Sequence, residues 1–114
     1  MHELSIAEAL MGSLEKYRKE HGGRVLSVNV RVGRLAGIDP DALEYTWRTA
    51  RECASVELKE CEIKIAVAPI RHRCRNCGGT FERDRWIIEC PDCHQSALQR
   101  ENGQELVIES IEVE

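Results

Sequence analysis

The chain is short of what most catalytic and nucleic-acid-binding folds are built from. Aromatic side chains number five, two Trp, two Tyr and one Phe, too few for a platform on which bases stack. There is no excess of positive charge, because 16 Lys+Arg stand against 20 Asp+Glu for a net charge of −4. That balance argues against a general polyanion binder. No apolar run approaches the roughly 18 residues that span a bilayer, and no signal-peptide pattern opens the sequence, so a cytoplasmic, reducing setting is expected. A phosphate-cradling glycine loop and a nucleophile motif are missing too, which speaks against an enzyme. At 114 residues the length suits one compact domain with a small appendage, and only a modest core.

What the sequence has is cysteine. Six cysteines without a secretion signal point to metal or redox chemistry rather than to a disulfide framework. Four fall in two C-x-x-C pairs, Cys74-Arg75-Asn76-Cys77 and Cys90-Pro91-Asp92-Cys93, separated by 12 residues. Each pair sets two thiolates on one tight turn. Facing turns would offer four sulfurs at tetrahedral corners, a donor set that suits structural Zn²⁺ and keeps no position for substrate. Two rivals share the letters. Cys90-Pro91-Asp92-Cys93-His94 matches the c-type haem attachment signature, but no large apolar pocket accompanies it. A thioredoxin-like pair would need a βαβ context and no second matched pair. His72 and His94 lie close enough in sequence to exchange onto the metal, with exposed side chains as the plainer expectation. Cys53 and Cys61 read as small buried hydrophobes.

Around the cysteines the periodicity changes several times. Ser5-Ile6-Ala7-Glu8 reads as a capping box opening a first helix with Ile6, Leu10, Leu14 and Tyr17 inward, stopped at His21-Gly22-Gly23. Leu26, Val28, Val30 and Val32 then alternate as a half-buried strand. Asp39 caps a second helix with Pro40 in its first turn and Leu43, Trp47 and Ala50 inward. A second strand carries Cys61, Ile63, Ile65 and Val67 on one face and ends at Pro69. The last strand, Gln104 to Val113, needs a β-bulge near Ser110, because Leu106 and Ile108 are out of phase with Ile111 and Val113. The expected fold is α+β: a small three-stranded sheet covered by two helices, with an inserted zinc-ribbon-like module carrying the four paired cysteines. Residues 1–68 and 104–114 form one unit and 69–103 the other. The charge is uneven, since residues 70–100 hold six arginines against four acids. The insert is therefore cationic and the remainder strongly acidic.

The amino terminus, Met1-His2-Glu3, offers a second metal chemistry. The α-amine of Met1, the amide nitrogen of His2 and its imidazole can close adjacent five- and six-membered chelate rings. Displacing an amide proton requires an ion with a square-planar or tetragonal preference, Ni(II) or Cu(II). Glu3 could add a fourth donor through its amide or its carboxylate.

Met1-His2-Glu3-Leu4-Ser5, the segment Val30-Arg31-Val32-Gly33-Arg34-Leu35, the Asp39-Pro40 helix start, the two cysteine pairs and the terminal strand together resemble the HypA/HybF family across essentially the whole chain. The resemblance implies a nickel metallochaperone of [NiFe]-hydrogenase maturation, not an enzyme. It implies nickel as transferred cargo on Met1, His2 and Glu3, and structural zinc on Cys74, Cys77, Cys90 and Cys93. It also implies a HypB-type GTPase and the hydrogenase large subunit as partners; the expectation of no nucleic acid and no membrane rests on the charge and hydropathy above. A homodimer is compatible with it, including one that swaps the zinc insert at a hinge near Pro69. The rival from another class is a zinc-ribbon interaction module that meets protein or nucleic acid through Arg71, Arg73, Arg75, Arg83 and Arg85, without a nickel role.

Overall fold

A computed structural model describes residues 2–114; Met1, one of the expected nickel ligands, lies outside the described residues. Helix α1 spans Glu3–His21, strand β1 Val25–Gly33, helix α2 Pro40–Arg51 and strand β2 Glu62–Ala68. Strands β3 (Ile70–Cys74), β4 (Thr80–Arg83) and β5 (Leu98–Arg100) follow, and β6 (Leu106–Val113) ends the chain.

The first sheet has the order β2-β1-β6, with β2 parallel and β6 antiparallel to the central β1. Both helices pack on one of its faces. Ile6, Ala7, Leu10, Met11 and Leu14 of α1 and Leu43 and Trp47 of α2 bury Val28, Val30, Val32 and Ile63. The Trp47 indole N–H donates to the Cys61 carbonyl at 2.8 Å, which satisfies the one polar atom of a fully buried side chain. The opposite face is polar and tied across strands, by Asn29 to Ser110 (2.9 Å), Lys64 to Glu112 (3.3 Å) and Arg31 to Glu109 (3.5 Å). A mixed sheet covered on one side has this alternation, apolar inward and charged outward.

Several expectations hold at the level of single residues. Asp39 caps α2, its carboxylate accepting from the Asp41 and Ala42 amides, with Pro40 first in the helix. Gly22, at φ +71°, ends α1 by donating its N–H to the Arg18 carbonyl. The β6 bulge is present: Asn29 pairs with Ser110 and Val30 with Ile108, so Glu109 is the extra residue.

Others are corrected. The helix starts at Glu3, two residues before the expected capping box, and the side chain of its N-cap residue makes no capping bond. Backbone closes the first turn instead, the Ile6 N–H donating to the His2 carbonyl at 3.2 Å. Leu26 is 42% exposed, because β1 carries a bulge of its own: Val25 pairs with Val113 and Ser27 with Glu112, leaving Leu26 without a partner. The phase therefore slips, and Ser27 and Val28 are both buried. Tyr17 is half-buried and stacks on His21. Cys61 is buried as expected, but Cys53 is exposed.

The insert holds a second three-stranded sheet, order β4-β3-β5, which alternation did not announce. Its strands have only three to five residues. On β3 the pattern is strict, with Ile70, His72 and Cys74 buried and Arg71 and Arg73 exposed. None of these side chains belongs to the core cluster under the helices.

Candidate metal centres

The cysteine cluster is built from two copies of one turn. After Cys74, the Cys77 N–H points at the Cys74 sulfur (3.5 Å) and the Gly78 N–H donates to the Cys74 carbonyl (2.9 Å). After Cys90, the Cys93 N–H points at the Cys90 sulfur (3.5 Å) and the His94 N–H donates to the Cys90 carbonyl (2.9 Å). The residue after each second cysteine must take a left-handed backbone. Gly78 does so at φ +78° without cost, and His94 does so at φ +62° as the only non-glycine with positive φ among the described residues. A cysteine turn followed by a residue in this conformation explains the C-x-x-C-H lettering without haem.

The turns face each other. Cys74 Sγ lies 3.6 Å from Cys93 Sγ, and Cys77 Sγ lies 3.7 Å from Cys90 Sγ. All four sulfurs fall within 4.8 Å of one another. A tetrahedral ZnS₄ centre with bonds of about 2.3 Å has sulfur–sulfur edges of about 3.8 Å, so the donor set fits zinc in number, chemistry and spacing. The thiols of the cluster also act on one another. Hydrogen bonds from the Asn76 side chain and the Gln95 backbone draw the Cys93 thiol down to about 6. At Cys77 the backbone hydrogen bond with Gly79 lowers the thiol, but burial and the sulfurs of Cys90, Cys74 and Cys93 outweigh it and push it up to about 12. The opposite directions at the two cysteines are those of closely spaced thiols, of which one ionises before the next.

The histidines beside the cluster have separate positions. His72 is fully buried on β3, and its Nε2 accepts from the Ile87 N–H at 3.3 Å. The ring proton is therefore assigned to Nδ1, which is buried without a partner. His94 is largely exposed, its ring 4.0 Å from the Glu89 carboxylate. Sequence reasoning missed Asn76 as a sulfur-directed donor at 3.5 Å from Cys93 Sγ, since nothing in a C-x-x-C spacing marks the residue between.

At the other end, His2 is exposed and extended (φ −75°, ψ 139°) immediately before α1, and Glu3 is the first helical residue. The opening amides of a helix have no intrahelical acceptor, so the Glu3 N–H is not committed to the ladder. A deprotonated amide there would also sit at the positive end of the helix dipole.

Fold and site together define an α+β protein in which two helices cover one three-stranded sheet and a four-thiol cluster suited to a metal sits in the second. Residues 1–113 match the family described as hydrogenase/urease nickel incorporation, metallochaperone, HypA. The hydrogenase maturation factor HypA of Caldanaerobacter subterraneus is 36% identical over the full length of both chains, and that of Chlorobaculum parvum 34%. The hydrogenase maturation factor HybF of Salmonella typhimurium is 30% identical, again at full length. A solution structure of HypA covers 99% of this chain and 96% of its own, with a TM-score of 0.74 at 23% identity. That of the nickel metallochaperone HypA from Helicobacter pylori gives 0.68 at the same identity, over 99% and 97%. The chain belongs to the HypA family: it is a nickel metallochaperone of hydrogenase maturation, and the family is not catalytic.

Proposed function

We propose that Ni(II), the cargo, is taken up by the Met1 α-amine, the His2 amide nitrogen and imidazole, and Glu3, and is passed to the large subunit of [NiFe]-hydrogenase with a HypB-type GTPase. The observation that carries the ligand assignment is the start of α1 at Glu3, which leaves His2 exposed and extended beside uncommitted amides. The amine and amide donors of that set must lose a proton to bind, so protonation or ligand exchange dismantles it from solvent, as delivery requires. Cys74, Cys77, Cys90 and Cys93 would hold zinc as a resident structural ion. The chain divides into a nickel unit, residues 1–68 with 104–114, and a zinc unit, 69–103. Six free thiols support a cytoplasmic, reducing setting. Among the described residues no helix is long and apolar enough to cross a membrane. The nucleic-acid alternative is weakened by pairing within the insert: Arg71 and Arg73 both meet Glu101, at 3.5 and 3.3 Å.

The test is a Ni(II) titration of zinc-loaded protein, alongside His2→Ala and a version with two residues added before Met1. Both variants should lose stoichiometric nickel while keeping zinc. Unchanged binding in either would move nickel away from the terminus and leave the zinc unit as the functional centre.

A further inference from the structure

The chain crosses between its two sheets twice, and one side chain holds both crossings. The outgoing link is a single residue, Pro69, between β2 and β3, and the return link runs over residues 101–105. Asn102 lies on the return link and reaches the outgoing one. Its Nδ2 donates to the Pro69 carbonyl and to Glu105 Oε2, each at 3.1 Å, and its Oδ1 accepts from the Arg71 N–H at 2.7 Å. Glu105 closes the ring, its Oε1 accepting from the Gly103 N–H at 2.7 Å. The loop that leads from β1 to α2 is drawn into the same knot. The Gly33 N–H donates to the Glu105 carbonyl (2.8 Å) and the Leu35 N–H to the Gly103 carbonyl (2.7 Å). Gly33 must be glycine here, because a Cβ would collide with the Gly103 carbonyl and the Glu105 carboxylate.

The knot lies between the sheets rather than inside either. Strand pairing in the zinc unit reaches Arg100 and in the nickel unit begins again at Leu106. The one ion pair between the units among the described residues joins Arg34 to Asp84 at 3.3 Å, with Asp84 83% exposed. An exposed pair of that kind restrains little. The angle between the units is therefore set in the knot, where the Asn102 carboxamide is the side chain that ties both links, supplying two donors and one acceptor in one plane beside the Leu35–Gly103 backbone bond. Asp would lose both donors and set a second carboxylate against Glu105, and Ala would lose all three contacts.

We propose that Asn102 is a positioning residue for nickel delivery: it fixes the zinc unit at one angle to the nickel unit, so that a partner docked on one finds the cargo on the other at a set place. This rests on the two-unit division and the terminal nickel site proposed above. A partner that met a loose hinge would have to order it on binding and would lose affinity for that reason.

The experiment is ¹⁵N relaxation and residual dipolar couplings on zinc-loaded full-length protein, comparing wild type with Asn102→Ala, Asn102→Asp and the control Arg34→Ala. Wild type and Arg34→Ala should show one rotational correlation time and one alignment tensor for amides of α1, α2 and β1 and for those of β3–β5. The two Asn102 variants should show two tensors and a shorter correlation time for β3–β5, with zinc content and nickel stoichiometry unchanged. A hydrogenase-producing host that depends on the variant should then yield less active hydrogenase. A single wild-type tensor retained in Asn102→Ala, or two tensors already present in wild type, overturns the proposal. Should Asn102→Ala fail to fold, Glu105→Gln replaces it, because its amide presents a donor to the Asn102 donor and should loosen the same hinge. His2→Ala tests the nickel site and leaves the tumbling alone, so failure of that reading is separable from failure of this one.

Discussion

Removing zinc should unfold the insert and spare the rest. Buried side chains within it are confined to Ile70, His72, Cys74 and Cys90. Ile70, its single buried aliphatic side chain, contributes about 1.5–3 kcal/mol by leaving water. Ordering the backbone costs about 1–2 kcal/mol for each residue fixed, so that burial offsets only a residue or two. Structural zinc contributes about 10–16 kcal/mol in small domains at neutral pH, several times what Ile70 supplies. The helix-covered sheet has its own core, with Ile6, Leu14, Val28, Leu43, Trp47 and Leu58 at 2% exposure or less, and it shares no member of that core with the insert. A zinc chelator titrated into ¹⁵N-labelled protein should therefore collapse the amide resonances of residues 70–100 to random-coil positions. Those of α1, β1 and α2 should stay dispersed, and one equivalent of zinc should restore the spectrum. Two results would refute the reasoning. An insert still dispersed without metal would mean its packing had been undervalued, and simultaneous loss of both units would mean their cores are not independent.

Further outcomes concern single residues. Burial, only partly countered by the Arg51 charge, pushes the Cys61 thiol up to about 11, while Cys53 is exposed; iodoacetamide at pH 8 should thus label one thiol per zinc-loaded chain, and Cys53→Ser should leave none, as mass spectrometry would show. The Ser27 hydroxyl is buried without a hydrogen-bond partner, and Ser27→Ala should raise stability by about 1 kcal/mol in urea denaturation; a loss would place a bridging water there. His94→Gly relieves a left-handed backbone costing a side-chain-bearing residue about 1–2 kcal/mol, so it should keep zinc and tighten the insert against chelator; faster zinc loss would give the imidazole a role beyond its conformation. Hydrogen bonds from its own amide, from Gly103 and from Asn102, with the Arg31 charge, hold the Glu105 carboxyl below the usual range despite partial burial. A lowered carboxyl stabilises the fold above its ordinary value and loses that contribution as pH falls through the folded one. The thermal stability gap between wild type and Glu105→Gln should therefore be full at neutral pH and shrink below about pH 4.3; a gap that widens in acid would reverse the assignment.

Much of this was legible where a local signal has a local cause. Asp39 and Pro40 announce α2 because a cap acts within three residues, and the break in phase between Ile108 and Ile111 announces a bulge because side chains in a strand alternate strictly. The bulge at Leu26 had no such signature. Val28, Val30 and Val32 already complete the alternation, and Leu26 extends it by apolar identity alone; only the partner strand shows that Ser27 is the inward residue. Ser5-Ile6-Ala7-Glu8 misled for a related reason. A capping box is one way to satisfy opening amides, and here the chain adds residues and uses the His2 carbonyl instead. The second sheet was hidden by length, since strands of three or four residues are too short to establish a period.

The two candidate metal centres illustrate the same division. A pair of C-x-x-C turns carries its geometry in its spacing, so the sequence announced the four clustered thiols, and folding adds the facing of the turns with sulfur contacts of 3.6 and 3.7 Å. The proposed nickel chelate needs almost no fold, because its donors belong to consecutive residues. That is why its chemistry could be written from three letters, and why any chain beginning Met-His offers the same atoms. What the structure supplies is context: an exposed His2 on extended backbone, followed at once by a helix whose first amides are uncommitted. A resident ion is suited to a centre of four thiolates from two facing turns, of which Cys74 and Cys90 are buried. Cargo is suited to a chain end, where ligands can leave one at a time without disturbing a core. Burying the proposed nickel donors would tighten binding and defeat transfer, whereas parting the four thiols would sacrifice the unit that zinc is proposed to hold together.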